Sequence, residues 1–95
     1  MIVDIQCIPD PTGTPDEPFA HIDEAIRVIA ESGLRHEVSA CGTSVEGTPD
    51  ELWPLVRRVH EATLAAGAAG CISIIKVAQH TSVPLTIAGL TGPHR

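Results

Sequence analysis

Residues 2–8 alternate, with Val3, Ile5 and Cys7 set against Asp4 and Gln6, which is the period of a strand with one covered face. The period returns at 34–40, where Leu34, His36, Val38 and Ala40 interleave with Arg35, Glu37 and Ser39. Cys41-Gly42 predicts a tight turn into a third strand, Thr43–Glu46. The run Cys71–Ala78, β-branched and apolar on both faces, predicts a fourth. Between the first two strands, Phe19, Ile22, Ala25, Ile26 and Ile29 recur at helical spacing. Between the last two, Leu52, Val56, Val59 and Thr63 do so, flanked by Leu55, Ala62 and Ala66. Val83, Leu85, Ile87 and Leu90 in the last 15 residues define no clear element.

A repeat underlies this order. Gly13-Thr14-Pro15-Asp16-Glu17 recurs 34 residues later as Gly47-Thr48-Pro49-Asp50-Glu51, and the same offset relates Cys7 to Cys41, Phe19 to Trp53 and Gly33 to Gly67. Thr-Pro-Asp-Glu reads as an N-cap, a proline at the first helical position and a capping-box glutamate. Gly33 and Gly67 suit the left-handed position that ends a helix. Pro18 is accommodated only in a first turn, and Pro54 should bend its helix or delay its start. Repeated β-α-β units predict an α+β, ferredoxin-like split βαβ sandwich, βαββαβ, with antiparallel strand order 4-1-3-2 and both helices on one face. Residues 1–80 form this domain, and 81–95 form a tail that packs on it or on a partner subunit. The two aromatics, at equivalent helix positions, are expected to pack in the core or at helix ends.

The helices should cover Val3, Ile5, Val38 and Val45, leaving Asp4, Gln6, Ser44, Glu46, Arg35, Glu37 and Ser39 on the other face. Lys76 interrupts the fourth strand and could pair there with Glu46 or Asp4. Both faces of the fourth strand need cover, which predicts a homo-oligomer, a dimer or tetramer.

Charge and composition narrow the function. Six Lys and Arg stand against 12 Asp and Glu, a net charge of −6, which argues against nucleic-acid binding. Aromatic residues make up 2%, so no stacking platform for bases exists. No apolar run approaches the roughly 20 residues of a membrane span. The first residues lack a basic stretch, so a cytoplasmic location is expected. Cys7, Cys41 and Cys71, an odd and dispersed set, read as free thiols in a reducing compartment. All three fall at one end of the predicted sheet, so a thiolate metal site with His80 or His94 is conceivable, against the plainer reading of small buried hydrophobes. His21 and His60 are expected on helix surfaces, and His36 near the core. No phosphate-binding loop, dinucleotide fingerprint, nucleophile elbow or zinc motif is present. An enzyme would need a nucleophile, for which Cys41 beside Gly42 is the one candidate.

The segment from Arg35 through His36, Glu37, Val38, Ser39, Ala40, Cys41, Gly42, Thr43, Ser44, Val45 and Glu46 to Gly47 resembles the central hairpin of the small thiamine-binding protein family, whose pattern is a basic residue, an aromatic, Glu, a spacer, Gly-Thr or Asn-Thr, then Val/Ile-Glu-Gly. His36 stands where the family usually has Tyr. Ile8-Pro9, Glu31-Ser32-Gly33-Leu34, Arg57–Ala62 and Ser73–Val77 are similar too. The resemblance implies the ferredoxin-like fold, assembly through the sheets and non-catalytic binding of thiamine or its hydroxymethylpyrimidine part, with no cofactor. It places Glu37, Thr43, Glu46 and Lys76 at matching positions, and Ser39 and His36 join them as candidate ligand-binding residues. Carboxylates suit the thiazolium cation, and Glu or Thr can hydrogen-bond the pyrimidine edge. The alternative is a homo-oligomeric interaction module with no small-molecule ligand. Which way Thr43 points depends on whether the hairpin corner carries a bulge.

Overall fold

The computed structural model describes all 95 residues. Strands β1 (Ile2–Asp10), β2 (His36–Ser39), β3 (Gly42–Glu46) and β4 (Gly70–Ala78) form one antiparallel sheet in the order β2-β3-β1-β4, the predicted arrangement. Helices α1 (Ala20–Glu31) and α2 (Pro49–Ala65) pack on one face. Val3 and Ile5 of β1, Val45 of β3, Ala25 and Ile29 of α1, and Leu52, Leu55 and Val59 of α2 form a single buried cluster. Burying each large aliphatic here contributes roughly 1.5–3 kcal/mol.

The two copies of the capping motif behave differently. At α2 the box closes: the Thr48 hydroxyl accepts from the Glu51 N–H at 3.2 Å, and the Glu51 carboxylate accepts from the Thr48 N–H at 2.9 Å. Hydrogen bonds from the Thr48 backbone, then its side chain, hold the Glu51 carboxyl below its usual range. The helix starts at Pro49 and runs through Pro54 without delay. At the first copy Thr14 accepts from the Glu17 N–H at 3.0 Å, but the turn goes no further. Pro18 has no N–H and disfavours helical backbone at Glu17, so α1 waits until Ala20 and lacks a side-chain cap.

That delay explains the exposure of Phe19. Phe19 becomes the N-cap of α1 and is 62% exposed, while Trp53, on the outer side of α2, is 52% exposed. Neither packs in the core. His21, expected on the surface, is 4% exposed with its Nδ1 2.7 Å from the Pro11 carbonyl. Gly67 ends α2 at φ +126°, and a Cβ there would lie 3.3 Å from His21 Nε2, so both backbone and packing demand glycine. His60, also expected on the surface, is half-buried.

The ladders are regular. Ser39 pairs with Gly42, Val38 with Thr43, and Ile5 with Thr43 from the other side, so no bulge intervenes at the β2–β3 corner. The turn residues are Ala40 and Cys41, and Gly42 already belongs to β3. A Cβ at Gly42 would lie 3.1 Å from Asp4 Oδ1 and 3.2 Å from the Ile5 carbonyl, which accounts for glycine there.

The tail is not featureless. Helix α3 (Ile87–Thr91) and a 3-10 turn (Gly92–His94) fold over the sheet face away from α1 and α2. Thr86 caps α3 by accepting from the Gly89 N–H at 3.0 Å, and Ile87 is 4% exposed.

Candidate functional site

Regular alternation divides the six predicted ligand-binding residues between the two faces of the sheet. Thr43 shares a face with Val3, Ile5 and Val45, under the helices. His36 pairs with Val45 on that same face, with its Nδ1 3.0 Å from the Leu34 carbonyl. Glu37, Glu46 and Lys76 project from the opposite face. Ser39 stands at the end of β2, where its hydroxyl donates to the Gly42 carbonyl at 2.9 Å.

On the open face the acids are already engaged. Glu46 Oε1 accepts from the Ile87 N–H at 3.0 Å and lies 3.6 Å from Arg35 Nε. Glu37 pairs with Arg95. Lys76 lies across from Asp4 in the ladder but forms no ion pair with it or with Glu46.

The helix-covered face holds a cavity of about 190 Å³ between α1 and the β2–β3 corner. Its apolar wall includes Ile5, Ile22, Ala25, Ile26 and Ile29. Thr43 supplies a polar side chain and Cys7 and Cys41 supply thiols, while Gln6 and Ser39 border the space from strands that turn their side chains to the open face. The fold builds this space because α1 presents Ile22, Ile26 and Ile29 at helical spacing, while the hairpin turns back at Ala40–Cys41 beyond the end of the β1–β3 ladder. Thr43 is 4% exposed, and its hydroxyl joins none of the side-chain hydrogen bonds of the fold. No buried side-chain polar atom lacks a partner, so that hydroxyl borders the cavity space. An apolar pocket with a few placed polar groups is the usual form of a small-molecule site. Sequence reading finds Thr43 but not Cys7 or the isoleucine wall; the 3.6-residue spacing of α1 is the available signal, and it reads equally as core.

The thiols divide by environment. Cys41 is exposed in the turn. Burial raises the Cys7 pKa, neighbouring Cys71 adds to the rise, and the hydrogen bond from Ser73 opposes it, so Cys7 is a protonated thiol at neutral pH. Ser73 donates to Cys7 Sγ at 3.4 Å and lies 2.5 Å from His60 Nδ1, which ties α2 to β4 and β1. No three metal-ligating side chains converge.

Fold and cavity together define a ferredoxin-like α+β sandwich with a ring-sized space between its first helix and central hairpin. Residues 3–92 match the model of the family described as thiamine-binding protein, and the chain belongs to that family. It is 33% identical over 87 residues to a UPF0045 protein of Synechocystis sp., covering 92% of this chain and 70% of that one. A solved domain of unknown function (DUF77) from Bacillus cereus superposes with a TM-score of 0.83 at 32% identity, covering 100% of this chain and 91% of that one. The fold is shared with the crystal structure of a proposed thiamine biosynthesis/salvage protein from Thermotoga maritima, at TM-score 0.84 and 22% identity, covering 99% and 97% of the two chains. No helix is long and apolar enough to cross a membrane.

Proposed function

We propose that this chain is a binding protein for thiamine or its hydroxymethylpyrimidine part, and that the pyrimidine ring enters the cavity beneath Thr43. The observation that carries the reading is the cavity itself, combined with a free hydroxyl in its wall. An apolar cavity of about 150 Å³ is enough for one benzene ring. The 190 Å³ present here therefore suits one substituted six-membered ring, with the thiazolium of thiamine left outside. The Thr43 hydroxyl can donate to a ring nitrogen or accept from the ring amine. Glu37, Glu46 and Lys76 lie across the sheet from this space, so we assign the ring to Thr43 and the aliphatic wall.

We further propose that the chain works as a cytoplasmic homo-oligomer. Ile8, Ile72 and Ile74 are 45%, 68% and 48% exposed on the open face, and β4 is an edge strand of nine residues. A second copy covering them would remove both the apolar patch and the open edge. The same patch favours the second reading, an interaction module with no ligand.

Calorimetry with hydroxymethylpyrimidine and with thiamine separates the two. Saturable binding with one site per chain supports the first reading, and no heat at millimolar ligand supports the second. Thr43→Val keeps the shape and removes the hydroxyl. It should leave the melting temperature unchanged or slightly higher and weaken pyrimidine binding by about 3- to 10-fold, the worth of one neutral hydrogen bond.

A further inference from the structure

Resting on that reading, we propose that the cavity selects the unphosphorylated form of its ligand, a neutral or cationic pyrimidine, and discriminates against the phosphate ester. The inference comes from where the six basic side chains sit. Arg27, the only one on α1, is held on the outer side of that helix by both Glu24 and Glu31. Arg35 is beside Glu46, Arg57 beside Glu61 and Arg95 beside Glu37. Arg58 faces a groove next to Asp50 and Glu51. Lys76 is on the open face across from Asp4. None lines the cavity.

A helix N-terminus could replace a basic side chain as a phosphate site, and α1 is the one near the cavity. Three of its first four N–H groups are already bonded: Ala20 donates to the Glu17 carbonyl at 3.1 Å, His21 to Thr12 at 3.0 Å and Asp23 to Phe19 at 2.9 Å. Asp23 in the first turn also offsets the positive end of the dipole. The N-terminus of α2 is closed by its capping box.

Asp4 pairs with Ser44 and Lys76 on the open face, so the cavity lining contains no formal charge of either sign. A phosphate ester carries about −1.5 to −2 charges at neutral pH. Its phosphate would emerge on a chain of net charge −6, with no cation in the cavity lining to meet it. A thiazolium leaving by the same mouth carries the charge opposite to that of the chain as a whole.

The test is calorimetry on the full chain with hydroxymethylpyrimidine and its monophosphate ester in parallel, at about 50 and 200 mM salt. The alcohol should bind about tenfold more tightly than the ester at low salt, with the gap narrowing as salt rises. Ala40→Lys, which puts a cation in the exposed turn at the mouth, should narrow the gap at low salt. Ester binding as tight as or tighter than the alcohol in the unmodified chain overturns this inference and leaves the ligand assignment standing. Absence of binding by both overturns the ligand assignment and this inference with it.

Discussion

Ala25→Leu should abolish pyrimidine binding while leaving the fold intact. Ala25 is 4% exposed on the inner side of α1 and lines the cavity wall. Leucine adds three carbons at that point, taking the space a ring would occupy. Each newly buried methylene contributes about 0.8 kcal/mol. Crowding a packed site costs about 1–3 kcal/mol. The two effects nearly cancel, so the melting temperature should move by only a few degrees in either direction. Ligand affinity, by contrast, should fall by more than about 100-fold, because a ring and a leucine side chain cannot share the cavity. Thermal denaturation beside calorimetry on the same preparation reads both quantities. Retained binding in a folded Ala25→Leu protein would move the ligand out of this cavity.

Leu52→Ala should be the most damaging single change to stability. Leu52 is fully buried at the start of α2, in the cluster with Val3, Val45 and Ile29. It also packs beside Gly47, where β3 hands over to the helix. Truncating a buried leucine costs about 2–5 kcal/mol, the cavity left behind included. A domain of this size holds about 5–15 kcal/mol in total. At about 4–8 °C per kcal/mol, the melting temperature should drop by roughly 8–40 °C. Urea unfolding would show a lower midpoint at unchanged slope. A loss under about 1 kcal/mol would mean that the core is not organised around α2 as described.

Much of this fold was legible because local signals agreed. Alternation at Val3, Ile5 and Cys7 set the buried side of β1, and the 34-residue repeat gave the strand order. Gly33 and Gly67 end their helices at φ +74° and +126°. The first capping motif misled because Pro18 overrules Thr14, and with it went the expected packing of Phe19. His21 was misread because nothing local shows that the loop before α1 folds back to offer the Pro11 carbonyl. The tail helix is only five residues long, too short for a period to register, and Glu46 of a distant strand helps fix its start.

The site was less legible than the fold for a geometric reason. The hairpin motif singled out Glu37, Thr43 and Glu46 together, but Thr43 and Glu46, three apart on β3, face opposite ways, and Glu37 pairs with Ser44 on the Glu46 side. Only the register of Ile5 with Thr43 shows that Thr43 faces the helices while Glu46 does not. The cavity depends on side chains from α1, β1, β2 and β3 at once, and no stretch of sequence contains that information.

The chain's ten isoleucines allow a direct test of where the ligand sits. Methyl NMR of isoleucine-labelled protein, titrated with hydroxymethylpyrimidine, reports both faces of the sheet in one experiment. Ile5, Ile22, Ile26 and Ile29 should shift as the cavity fills, while Ile8, Ile72 and Ile74 on the open face stay in place. Shifts confined to Ile8, Ile72 and Ile74, or no shifts at millimolar ligand, would contradict the cavity as the binding site.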